Sequence, residues 1–161
     1  MVSPISTGSR TEKGTEDSER VSSLPEETIE FANRIFKAAK DGDLILLKSA
    51  IGAGLPVNLT DHNGNTLLIL ASYYGHLETV EYLLSKGVEL NRLNDKNQSA
   101  VAGAVYKGFK DVVKALIDNG ADIKLGRPNA IDCTYMFKRD DYWDFIGASI
   151  DDVSPEVPKR V

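Results

Sequence analysis

In the run Asp61-His62-Asn63-Gly64-Asn65-Thr66-Leu67-Leu68-Ile69-Leu70-Ala71-Ser72-Tyr73-Tyr74-Gly75-His76-Leu77-Glu78, an Asn-Gly turn leads into a short apolar helix that Gly75 interrupts. Ala71 and Gly75 have counterparts 33 residues away on both sides, Ala38 with Ala104 and Gly42 with Gly108. Beyond the run, Gly54, Gly87 and Gly120 keep the same step. So do Leu47, Val80 and Val113, and Ile51, Leu84 and Ile117. A fixed period of this size marks a stack of short supersecondary units, each too small to bury its own apolar face. Such stacks touch only their neighbours and build an extended surface, which usually binds another protein rather than performing chemistry.

Working outward, the same events recur in each unit. Upstream, Ser23 and Glu26 stand at capping-box spacing, with Pro25 in the first turn and Glu26 and Glu27 near the positive helix end. Ile29, Ala32, Ile35, Phe36 and Ala39 then form one apolar helical face. Asp41-Gly42-Asp43 breaks that helix, Leu44, Leu47 and Ile51 mark a second, and Gly54 stops it. An extended stretch over 55–64 closes in the Asn63-Gly64 turn. Downstream, the spacing predicts helices over 66–74 and 77–85 around Gly75, a stop at Gly87 and a hairpin over 88–97. Helices over 99–107 and 110–118 follow around Gly108, with a stop at Gly120. A last unit starts at Gly126-Arg127-Pro128 and runs through helices over 130–138 and 142–146. It is shorter by about three residues, as expected of a unit that caps a stack.

Residues 61–78, with Val80, Leu83-Leu84, Gly87 and Asn91, resemble an ankyrin repeat, and the third unit matches in Val112-Val113-Lys114-Ala115-Leu116-Ile117-Asp118-Asn119-Gly120-Ala121-Asp122. The resemblance extends over about residues 28–146, and the chain is also similar to small stand-alone ankyrin proteins of fungi and bacteria, most of which lack a defined biochemical activity. It implies an all-α ankyrin-repeat solenoid of about four helix-turn-helix units with β-hairpin fingers, spanning 25–146 in units 28–60, 61–93, 94–126 and 127–146. Residues 1–24 read as a disordered N-terminal tail, being rich in Ser, Thr, Glu and Gly with few large aliphatics, and 147–161 as a disordered acidic C-terminal tail. Three departures stand out. Leu67 and Ala100 replace the usual proline of the threonine-proline-leucine-histidine box, Ile69 and Ala102 its histidine, and Asn97 the hairpin glycine. These changes are expected to remove helix-start hydrogen bonds and loosen the stack.

Composition narrows the function. Apolar residues make up 42% and charged residues 27%, ordinary for a globular protein. No run approaches the roughly 18 apolar residues of a membrane span, and the first residues do not form a secretory signal. Of the formal net charge of −5, most sits at the end: residues 140–161 carry six acids against Lys159 and Arg160, while 25–139 are neutral overall. There is no basic stripe of the kind nucleic acid requires. The lone Cys133 excludes an internal disulfide and a cysteine-based metal site, and a reducing compartment, cytoplasmic or nuclear, is expected.

Few residues invite chemistry. The resemblance places His76 at the start of an outer helix with its ring bonding neighbouring loop backbone; no second histidine or paired carboxylate lies at ligand spacing. It also places Asn58 and Asn91 before the fingers, bonding hairpin backbone, and implies that either is a candidate for oxygen-dependent hydroxylation. Cys133, among Ile131, Tyr135 and Met136, reads as a small buried apolar residue. No nucleophile–base set can be assembled, and no phosphate-cradling loop is expected because each glycine is assigned to the repeat. Asp140, Asp141 and Asp144 lack the alternating oxygens of a calcium loop and read as a solvated helix start, while Tyr142, Trp143 and Phe145 read as a seal on the stack's open end.

The expected function is therefore binding of a protein partner by a monomer through its concave face, with no catalytic residues, no cofactor, no metal, no nucleic acid and no membrane. Candidate contacts are His62, Asn63 and Asn65 in one finger, Asp95, Lys96 and Gln98 in the next, and Tyr73, Tyr74, Tyr106 and Lys107 at the ends of the inner helices. For the tyrosines, packing against adjacent loops and contact with a partner are equally open; Tyr is enriched at interfaces. The alternative is an escort for a basic partner, using the acids after Asp140. An enzyme is the remaining reading.

Overall fold

The structure is a computed structural model that describes residues 25–161; the tail over 1–24 and the Ser23 half of the expected capping box lie outside the described residues. Four inner helices, α1 (Glu26–Asp41), α3 (Leu67–Tyr73), α5 (Ala100–Lys107) and α7 (Ala130–Met136), stand in a row. Each packs against or leads into an outer helix: α2 (Leu44–Gly52), α4 (Leu77–Ser85), α6 (Lys110–Asp118) and the short α8 (Trp143–Ile146). The architecture is all-α, as the period implies. Between units the chain projects as fingers of turns. Only the first carries a β-bridge, Thr60 with Thr66, so the hairpins are shorter than expected.

The repeated apolar columns form one core. Leu47, Val80 and Val113 are fully buried, and the alanine column Ala38, Ala71 and Ala104 is buried with them. The three later inner helices, α3, α5 and α7, start in the same way, whereas α1 begins after Pro25 without a side-chain cap. Thr66 Oγ1 accepts from the Ile69 amide at 3.0 Å and Ser99 Oγ from the Ala102 amide at 3.1 Å. Asn129 and Asp132 complete a reciprocal capping box. The expected loss of helix-start bonds is thus corrected: Thr66 and Ser99 still cap their helices although the proline and histidine of the box are replaced. Asn97 takes the vacated glycine's conformation at φ 58°, which asparagine tolerates better than most residues.

Two ladders tie unit to unit. Asn58 Oδ1 accepts from the Glu89 amide at 2.9 Å, and Asn91 Oδ1 from the Asp122 amide at 2.8 Å. Both therefore bond the following unit rather than their own finger. In the second ladder the residue after each turn covers the glycine of the preceding unit: His76 over Gly42, Phe109 over Gly75, Arg139 over Gly108. His76 Nε2 donates to the Lys40 carbonyl at 2.6 Å, which puts its proton on Nε2. Arg139 reaches the carbonyls of Val105 and Tyr106 at 3.1 and 2.9 Å. His, Phe and Arg satisfy one position because the site asks for a flat group over a bare backbone, with a donor wherever a helix-end carbonyl is free.

The segment 147–161, expected to be disordered, is a strap folded against α7. Ser154 bonds the buried Asp132 carboxylate through both its amide (2.8 Å) and its hydroxyl (2.9 Å). Arg160 Nε donates to the Tyr135 carbonyl at 2.7 Å, and its guanidinium stacks 4.4 Å from the Tyr135 ring centroid and pairs with Asp140 at 2.8 Å. Acidic composition concealed these specific partners. Asp140 and Asp141 are likewise not simply solvated. The hydrogen bond from Arg160 holds the Asp140 carboxyl below its ordinary range, and that from Lys110 does the same for Asp141. Tyr142 and Ile146 are buried at this end, with Trp143 and Phe145 partly so.

Candidate functional site

The C-terminal ends of the inner helices line one side of a concave groove. Tyr73, Tyr74, Tyr106 and Phe137 stand there, each 36–46% exposed. Tyr73 and Tyr106, at one repeat position, stack with centroids 6.2 Å apart and rings 23° from parallel. Phe137 meets Tyr106 edge-on at 4.6 Å, and Tyr74 meets Tyr73 edge-on at 5.4 Å. These geometries are favourable for aromatic pairs, so the rings hold one another in place.

The groove contains a cavity of about 500 Å³. Its floor comes from one helix position, occupied by Leu70 in α3, Gly103 in α5 and Cys133 in α7. The missing side chain at Gly103 deepens the middle. A Cβ there would meet only Tyr73 Cδ2, at 3.5 Å, an ordinary contact. Gly103 is also where the assignment of every glycine to the repeat fails, since its counterpart one unit earlier is Leu70.

The finger side of the cavity is polar, with the Asn94 and Asp61 side chains engaged within the fingers. Asn94 donates from Nδ2 to Asn65 Oδ1 and to Gln98 Oε1, both at 2.8 Å, while its Oδ1 accepts from the Lys96 and Gln98 amides. Asp61 does the equivalent work one finger earlier, accepting from the Asn63 and Asn65 amides at 2.9 Å. Lys40 lines the cavity and the Lys107 ammonium lies 5.2 Å from the Tyr73 ring centroid; among the described residues no Asp or Glu lines it.

Of the ten candidate contacts, Asn65, Tyr73, Tyr74, Gln98 and Tyr106 line this cavity and Lys107 borders it. His62, Asn63, Asp95 and Lys96 lie outside it, in the fingers, where Asp95 donates its amide to the Asn63 carbonyl and His62 Nε2 accepts from Asn63 Nδ2 at 3.2 Å. Sequence reading missed Lys40, Gly103 and Phe137. Stepping back 33 residues from Tyr73 reaches Lys40, and a glycine inside a helix that the period does not require was itself a signal. Phe137 escaped because the last unit is three residues short.

Cys133 is buried, and desolvation, then the nearby Asp132 charge, pushes its thiol up to about 12, so it is protonated near neutrality. Among the described residues no cluster of three or more His, Cys, Asp or Glu could hold a metal ion, and no helix is long and apolar enough to cross a membrane.

A family model described as ankyrin repeats (3 copies) matches residues 35–126. The chain is 35% identical over 89 residues to an ankyrin repeat domain-containing protein of Stachybotrys chartarum, which is 55% of this chain and 5% of that one. It is 46% identical over 57 residues to an ankyrin repeat protein of Pseudomonas aeruginosa, 35% of this chain and 33% of that one. It is also 31% identical over 91 residues to an L-asparaginase of Dirofilaria immitis, 56% of this chain and 15% of the enzyme. The chain thus spans a third or less of the length of these relatives.

Proposed function

Because this chain belongs to the ankyrin-repeat family, whose repeats are protein-interaction modules, we propose that it is a non-catalytic monomer that holds a protein partner on its concave face. The observation that carries this reading is the aromatic groove. Tyr73, Tyr74, Tyr106 and Phe137 remain accessible although each already packs on a neighbouring ring. Partly rigid aromatic side chains around a hollow are what interface hot spots are built from. The family is generally non-catalytic, and the likeness to an asparaginase is a likeness of ankyrin repeats alone. A reducing compartment, cytosol or nucleus, suits the free buried Cys133. The escort reading is less favoured, since Asp140 and Asp141 are already engaged by Arg160 and Lys110.

Affinity purification with mass spectrometry, comparing the native chain with the Tyr73→Ala/Tyr106→Ala variant, tests the reading. The expected outcome is loss of the partner with an unchanged circular dichroism spectrum, each ring contributing about 2 kcal/mol or more to affinity. An unfolded variant would make the tyrosines structural packing. A folded variant that keeps its partner would move binding to the outer helices or the C-terminal strap.

A further inference from the structure

Resting on the concave-face reading, we propose that the groove takes an extended, acidic segment of its protein partner and seats one bulky apolar side chain of that segment over Gly103. Glycine inside a helix is disfavoured relative to alanine, and no close neighbour demands it here, since a Cβ would sit 3.5 Å from Tyr73. What Gly103 provides is empty volume between the Leu70 and Cys133 positions, walled by the stacked Tyr73 and Tyr106 and by Phe137. The cavity of about 500 Å³ suits a side chain or two with their backbone; a helix, roughly 10–12 Å across with its side chains, calls for a broader trough.

The polar wall fits the same occupant. Asn94 already uses both amide hydrogens, on Asn65 and Gln98, and its oxygen accepts two backbone amides. An apolar group can therefore cover it without stranding a donor. The charge is one-signed. Lys40 and Lys107 stand at the groove with no carboxylate in its wall, and the neighbouring Asp41 is held by Lys37 at 2.5 Å. Two cations with no carboxylate partner among the described residues complement carboxylates on the partner and repel a basic segment.

The test is panning of a phage-displayed library of random dodecapeptides on the full chain, with Gly103→Leu and Lys40→Glu/Lys107→Glu as counter-targets. The expected result is enrichment of net-negative peptides bearing a bulky apolar residue. Gly103→Leu should weaken their synthetic versions by about tenfold or more, and the charge reversal or added salt should weaken them too. Thermal melts check that each variant folds. Should Gly103→Leu fail to fold, Gly103→Ala, which meets no clash, and Tyr106→Ala take its place. Enrichment of neutral or basic peptides that Gly103→Leu excludes would overturn the acidic partner and leave the concave-face reading standing. Peptides indifferent to Gly103→Leu and to Tyr73→Ala/Tyr106→Ala would overturn both. Absence of enrichment would overturn the groove as a site for a linear segment.

Discussion

Two glycines separate strain from collision. Gly75 and Gly87 both hold left-handed backbone, at φ 78° and 72°. At Gly75 a Cβ would lie 2.7 Å from the Phe109 ring, whereas at Gly87 nothing lies within 4 Å. Gly87→Ala should therefore cost only the conformational term, roughly 1 kcal/mol, with valine somewhat worse. Gly75→Ala adds displacement of Phe109 and should cost on the order of 2–3 kcal/mol. Urea melts of the two variants give the difference; equal losses would mean that Phe109 swings aside freely. At Cys133 the expectation is inertness. With the thiol raised to about 12, a disulfide-exchange reagent at pH 8 should label it only as fast as the protein opens. Rapid stoichiometric labelling would show the α7 end of the groove open to solvent.

At the scale of elements, α3 and α5 are only seven and eight residues long, too short to persist alone. Their stability comes from the rows on either side. Leu83 of α4 and Leu116 of α6 are fully buried at corresponding positions, so Leu83→Ala or Leu116→Ala should cost about 2–5 kcal/mol. Leu83 lies in the second of the four outer helices and Leu116 in the third. In a nearest-neighbour stack, hydrogen exchange should therefore show Leu83→Ala loosening α3 and its neighbours more than α7 and α8, and Leu116→Ala loosening α5, α7 and α8 more than α1. Uniform loss of protection in both variants would mean that the array unfolds as one unit.

For the whole molecule, the exposed end of the array is closed by α8 and the C-terminal strap. Asp140 and Asp141 sit below their ordinary value of 3.8 because Arg160 and Lys110 bond them. A carboxyl depressed by folding contributes stability that is fully present above its unfolded value and is lost as pH falls through its lower folded value. The strap should therefore be insensitive to these two groups from pH 7 to about 5 and loosen below about pH 4. Trp143, partly buried at this end, is the only tryptophan, and its emission should shift to the red there. In Arg160→Met the shift should come at a higher pH than in the native chain; an unchanged profile would show that the pair has no part in holding the strap.

The period, the glycine stops and the buried columns were legible in the sequence because they express local chain geometry plus contact with an identical neighbour. Any unit supplies the same information as the next. Leu47, Val80 and Val113 could be assigned to one core without knowing where any of them pointed. Three features needed the tertiary structure. The groups covering Gly42, Gly75 and Gly108 are chemically unlike, so no pattern links them. Gly103 becomes a hollow only when α3 and α7 stand on either side and Tyr73 of α3 stacks on Tyr106 beside it. The strap over 147–161 looks like an acidic tail until Ser154 and Arg160 meet Asp132 and Tyr135, partners 22 and 25 residues earlier. A repeated contact is encoded once per unit and can be read from spacing. A contact made once depends on where the folded chain delivers two particular side chains, and composition carries no trace of it.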